Sequence, residues 1–143
     1  MKILNFFFLG LLCGPAYAGP MECFEAASKD RVIKWSDDLK AALCRKARSI
    51  APYECFAKVY TNGSDFRISS TLAVSLCQGA VDSEAPAACF NQALEKDPRG
   101  ITPLQAARLC SGASSAEKVI ACFSASRERL SLEPDLAAEL CAE

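Results

Sequence analysis

The cysteines of this chain fall into two interleaved series. Cys23, Cys55, Cys89 and Cys122 are each followed by phenylalanine, at separations of 32, 34 and 33 residues. Cys44, Cys77, Cys110 and Cys141 each follow leucine, at separations of 33, 33 and 31. Two series that share one period mark a tandem repeat, in which a unit too small to bury its own apolar face is copied and stacked. The unit is about 33 residues long and occurs four times.

Aligning the Leu-Cys series shows what the unit contains. Leu39, Leu72 and Leu136 stand five positions before the cysteine, with Gln105 at that place in the third repeat. Leucines five and one before the cysteine are four apart and share one helix face. Ala73, Ala106 and Ala137 stand four before it, with Lys40 in the first repeat. Nine before lie Trp35, Ile68, Ile101 and Leu132, followed by Ser36, Ser69, Thr102 and Glu133. Serine and threonine are preferred N-caps, and an apolar residue just ahead of the cap is the setting of a hydrophobic staple. Pro103 and Pro134 suit the first helical position, where a missing N–H costs nothing. The pattern predicts helices, called B, over 37–45, 70–78, 103–111 and 134–142. Gly79 and Gly112, two residues past the cysteine, suit a left-handed C-terminal cap; Lys46 takes that place in the first repeat.

The Cys-Phe series predicts a second helix, A. Pro20, Pro52 and Pro86 stand three residues before the cysteine, with Val119 in the fourth repeat, and Ser49, Ser83 and Ser115 are the expected caps. The A helices are expected over about 20–30, 50–61, 84–96 and 116–129. Asn62-Gly63 and Pro98-Arg99-Gly100 are turn signals between A and B. The fold expected is all-α: four tandem α-hairpins, over residues 19–48, 49–81, 82–114 and 115–143, forming a short disulfide-stapled solenoid. Tetratricopeptide and Sel1-like repeats use a two-helix unit of similar architecture, but their Trp/Gly/Tyr and glycine-rich signatures are missing, so the analogy is architectural alone.

Residues 1–18 read as a secretory signal peptide. Met1-Lys2 supplies the charged start, Ile3 to Leu12 the apolar core and Ala16-Tyr17-Ala18 the small-x-small site, with cleavage expected after Ala18. The apolar run is far shorter than the ~20 residues of a spanning helix, so no membrane span is expected after cleavage. Cleavage removes Cys13 and leaves eight of the nine cysteines in an oxidising compartment, where four disulfides are the default. No C-x-x-C pair suggests a redox or metal site.

Eight cysteines allow 105 pairings, which the repeat reduces to two periodic schemes. In an antiparallel hairpin the start of A lies beside the end of B, so pairing within repeats joins Cys23–Cys44, Cys55–Cys77, Cys89–Cys110 and Cys122–Cys141. Pairing between repeats leaves Cys23 and Cys141 at opposite ends of the stack, beyond the reach of a disulfide. The first scheme is expected.

The chain contains no histidine, which excludes imidazole acid–base catalysis and imidazole metal sites. A net charge of −1 argues against a nucleic-acid partner. Asp37-Asp38 and Glu133-Pro134-Asp135 are the closest acidic pairs, and both fall where a helix N-terminus favours negative charge. No catalytic residue, metal or cofactor is expected.

Arg45-Lys46-Arg48 is the basic cluster to set against an acidic partner, and Tyr53, Tyr60 and Phe66 are the candidate aromatic anchors. Trp35, at the staple position, is expected in the core. Charge is uneven, with seven basic and six acidic residues over 19–54 against two and five over 122–143. The function expected is that of a secreted or periplasmic, non-enzymatic protein-binding module. A structural or protective protein of an envelope or matrix is the first alternative, and an inhibitor of an extracellular hydrolase the second.

Overall fold

The computed structural model describes residues 19–61, 68–97 and 100–143. The expected signal peptide, the Asn62-Gly63 turn, Phe66 and Pro98-Arg99 lie outside the described residues. The described residues form eight α-helices and no strand: α1 (Pro20–Lys29), α2 (Asp37–Cys44), α3 (Ala51–Thr61), α4 (Ser70–Cys77), α5 (Ala85–Lys96), α6 (Pro103–Leu109), α7 (Ala116–Leu130) and α8 (Pro134–Cys141). Odd-numbered helices are the A helices and even-numbered the B helices. Within each hairpin A packs on B, and between hairpins A packs on the next A and B on the next B, so two helical layers run side by side along the stack.

The B helices begin where their caps place them. Ser36 Oγ accepts the Leu39 N–H at 3.3 Å, Ser69 Oγ that of Leu72 at 3.2 Å and Thr102 Oγ1 that of Gln105 at 3.3 Å. Gln105 Oε1 in turn accepts the Thr102 N–H at 2.8 Å, completing a capping box. Glu133 makes no side-chain cap, and α8 starts on Pro134 instead.

The A helices follow the serine pattern less closely. Ser115 caps α7 by accepting the Lys118 N–H at 3.4 Å, and Ser49 accepts the Ala51 N–H at 3.1 Å. At α5 the expected cap, Ser83, is displaced by its neighbour. Asp82 Oδ1 accepts the N–H groups of Glu84 and Ala85 at 2.7 and 2.8 Å, and Ser83 Oγ accepts from Lys58 Nζ at 3.0 Å. A carboxylate makes the stronger, charge-assisted bond to those orphan donors, which frees the serine for the neighbouring repeat.

The B helices end in a device that also joins the repeats. Gly79 and Gly112 take φ of 77° and 66°, a left-handed conformation open to glycine at no steric cost. Just before them, Gln78 Nε2 donates to the Ala42 carbonyl at 2.9 Å and Ser111 Oγ to the Ser75 carbonyl at 2.6 Å. Gln78 and Ser111 occupy one repeat position, and Ala42 and Ser75 another, so each link satisfies a carbonyl that the end of the preceding B helix would leave without a partner.

Four disulfides, Cys23–Cys44, Cys55–Cys77, Cys89–Cys110 and Cys122–Cys141, close the open ends of the four hairpins, with Cα atoms 5.6 to 5.7 Å apart. Around them lies one continuous core. The burial of equivalent positions shows which way each points along the stack. Leu43 is fully buried with no described hairpin before it, whereas Leu140 is 59% exposed with none after it, so this leucine faces forward, onto the next repeat. Ala137 is fully buried in the last repeat and so faces backward, as Ala73 and Ala106 do; in the first repeat Lys40 stands there. Phe56, Phe90 and Phe123 are also buried and face backward, and their counterpart Phe24 is only half-buried. Each interface thus sets leucines of one hairpin against the phenylalanine and alanine of the next, and burying side chains of this size drives the stacking.

Candidate functional site

Arg45, Lys46 and Arg48 lie on the connection from α2 to α3, exposed to solvent. None of them forms an ion pair with a described residue, whereas Lys40 pairs with Asp37, Lys58 with Glu84 and Arg127 with Asp97. The turn that carries them is held from three sides. Cys44, immediately before Arg45, is bonded to Cys23, and the Ala47 N–H donates to the Cys44 carbonyl at 3.1 Å. Ala47 is buried, and Gly19 at the start of α1 lies against it so closely that an added Cβ would meet the Ala47 oxygen at 2.6 Å. Three cations are therefore displayed from a backbone already ordered, which lowers the entropic cost of engaging a partner.

Tyr53 enters α3 one turn beyond this connection and is half-buried. Its hydroxyl donates to Asp30 Oδ2 at 3.3 Å, while Asp30 Oδ1 accepts the Val32 N–H at 2.8 Å, so the tyrosine ties the second repeat to the turn that ends α1. Burial, the Asp30 charge and that hydrogen bond raise the Tyr53 hydroxyl above its ordinary value of 10.0. The ring borders a shallow groove of about 390 Å³ between α1 and α3, shared with Lys29, Asp30 and Val32.

Tyr60 lies seven residues on, on the same face of α3 and about 10 Å along it. It is 44% exposed and stacks on Phe56 with centroids 5.2 Å apart. Trp35 also packs on Phe56, with ring centroids 4.0 Å apart, and its Nε1 is buried without a hydrogen-bond partner. Tyr53 and Tyr60 are thus the flanks of an aromatic stripe whose centre is core, and Trp35 takes the core place read for it. The structure places Tyr53 in the helix that follows the basic turn, with its ring at the end of α1, puts Tyr60 two helical turns further along α3, and does not describe Phe66.

The acidic pairs serve local structure. Asp37 accepts from Lys40 Nζ at 2.9 Å, and Asp135 from Gln105 Nε2 at 2.7 Å. Among the described residues no cluster of three or more carboxylate or thiol groups is placed to hold a metal ion, and no helix is long and apolar enough to cross a membrane. A cleft of about 410 Å³ between α5 and α7, floored by Ala93, Ile120 and Phe123 and rimmed by Asp97 and Arg127, carries no signal in the sequence, because it exists only through the packing of two helices. No protein-family profile, curated protein or solved structure matches the chain.

Proposed function

We propose that this is a secreted or periplasmic, non-enzymatic helical-repeat protein that binds an acidic surface of another protein through Arg45, Lys46 and Arg48, with Tyr53 in the helix that follows them. The observation that carries this reading is the basic turn: three exposed cations within four residues, without carboxylate partners, on a backbone fixed by the Cys23–Cys44 bond and the buried Ala47. The four disulfides support an oxidising compartment, since such bonds persist there and are reduced in the cytosol. Repeat stacks bind partners through extended surfaces, and that architecture supports a binding module over a catalyst.

The test is an affinity capture from native envelope and secretion fractions with the oxidised protein, its reduced and alkylated form, and an Arg45→Glu, Lys46→Glu, Arg48→Glu variant. A partner held in near-equal amount by the oxidised protein alone, and released as salt rises, is the expected result. Capture that survives the triple reversal would remove the basic turn from the interface. A second reading, a self-associating structural protein, is favoured by the leucines that the last repeat exposes.

A further inference from the structure

We propose that the carboxy-terminal end of the stack, built from α7 and α8 with Leu130, Leu136 and Leu140, pairs with the same end of a second copy of this chain across a two-fold axis. The three leucines are 61%, 55% and 59% exposed, and each stands at a position that earlier repeats use to hold the hairpin after them. Leu140 matches Leu43, Leu76 and Leu109, all fully buried. Leu136 matches Leu39 and Leu72, which are half-buried against the core. Leu130 matches Asp97, which reaches forward to Arg127 at 3.3 Å. Cys122 tells the same story, exposed where Cys23, Cys55 and Cys89 are fully buried. The end of the stack is therefore an inter-repeat interface with one half in place, an apolar face of the kind that marks an interaction site.

The other half is not supplied by the far end of a second copy. That end faces backward, and the first repeat closes it with Lys40, whose side chain lies over Phe24 where internal repeats bury alanine. A head-to-tail contact would bury the Asp37–Lys40 ion pair, exposed at Asp37, against apolar side chains, which carries a desolvation penalty. The face that remains open on this chain is the forward one, and a two-fold contact uses that face twice. Its rim carries both signs. Lys118 and Arg129 share the Cys122 face of α7, Glu133 is the extended residue that leads into α8, three before Leu136, and all three are exposed. Setting α7 of one copy beside α8 of the other brings opposite charges together at the edges. The described residues offer one such open face, and a two-fold contact uses it up, so their assembly stops at two. The inference is independent of the binding reading above, because the basic turn lies on the first repeat.

Sedimentation velocity of the oxidised protein over a wide concentration range tests it. The expected result is a dimer that dissociates on dilution and is lost in Leu140→Glu with helix content unchanged by circular dichroism. Leu136→Gln copies Gln105 of the third repeat, a residue this fold already accepts, and is expected to weaken the dimer severalfold. A protein that stays monomeric at high concentration, a dimer that Leu136→Gln leaves unchanged, or a wild-type ladder beyond the dimer each overturns the proposal. Lys40→Ala opens the backward face, and species beyond the dimer are expected from it. A Lys40→Ala protein that stops at the dimer would overturn the account of why the pairing is tail to tail.

Discussion

Lys40 lies across the ring of Phe24, its ammonium 5.6 Å from the ring centroid and 2.9 Å from Asp37. The lysine departs from the alanine that the other three repeats carry, and its place in the stack explains the departure. Phe24 has no hairpin behind it among the described residues, and the Lys40 side chain, only 14% exposed, covers it instead. Replacing Lys40 with alanine is expected to lower stability by about 0.5–1 kcal/mol, read by urea denaturation at dilute protein. Lys40→Arg should retain most of it. An unchanged midpoint in the alanine variant would show that the contact carries no stability.

Reduction is expected to unfold the stack. Each disulfide closes a loop of 19 to 22 residues, and a loop of that size contributes roughly 3 kcal/mol in the chain-entropy model. Helices of 7 to 15 residues are marginal on their own, so they depend on the stack that the bonds hold. Trp35 is the one tryptophan and packs on Phe56. Its emission should shift to the red as helical circular dichroism falls. A reduced protein with an unchanged spectrum and melting temperature would refute this.

The caps make separate contributions. Ser36→Ala and Ser69→Ala are each expected to cost about 1 kcal/mol, the usual value of a lost N-cap. At α5 the loss should follow Asp82→Ala, with Ser83→Ala affecting helix stability far less, because Asp82 holds the two N–H groups. Thermal melts of the four variants separate these outcomes.

The same carboxylate sets an expected pH dependence. Hydrogen bonds from the Ala85 and Glu84 N–H groups hold Asp82 below the ordinary aspartate value of 3.8. The Ser114 N–H and hydroxyl, both 2.7 Å from Glu143, hold that carboxyl below 4.5. A carboxyl whose value is depressed in the folded state stabilises it fully above the unfolded value, and the contribution is lost as pH falls through the folded value. Melting temperature should therefore fall as pH drops below about 4, and less steeply in Asp82→Asn. An identical pH profile in the variant would exclude Asp82 from the effect.

The four disulfides are unequal in exposure. Both cysteines of each of the first three disulfides are buried, whereas Cys122 is an exposed residue, and thiol–disulfide exchange requires access to a sulfur. In Leu140→Glu, expected to be monomeric, limited reduction followed by alkylation and mass mapping should find Cys122–Cys141 opened first. Simultaneous loss of all four bonds would contradict this order.

The repeat was legible because cysteine, leucine and alanine recur at fixed offsets, and the observed helices begin and end within about two residues of the positions read from the caps and glycines. Where the sequence misled, a tertiary partner decided the outcome. Ser83 has the chemistry of a cap, but Asp82 stands one residue earlier and Lys58 of the neighbouring repeat takes the serine. Tyr53, read as a candidate aromatic anchor, also ties its hydroxyl to Asp30, 23 residues away, a contact that no local pattern announces. The exposed end was present in the alignment, since Leu136 and Leu140 sit in register with leucines of the other repeats. Only the burial of Leu43, Leu76 and Leu109 reveals that this register points forward, off the end.

The cysteines of the described chain pair consecutively, the first with the second, the third with the fourth, and so on to Cys122–Cys141. A polypeptide threaded amino-terminus first into an oxidising space therefore meets its bonding partners in the order in which they emerge. Cys44 arrives while Cys23 is the free thiol waiting, and the finished hairpin has none left when Cys55 appears. In that order no early bond has to be undone to reach the final set. Oxidation in that order would complete the stack one hairpin at a time.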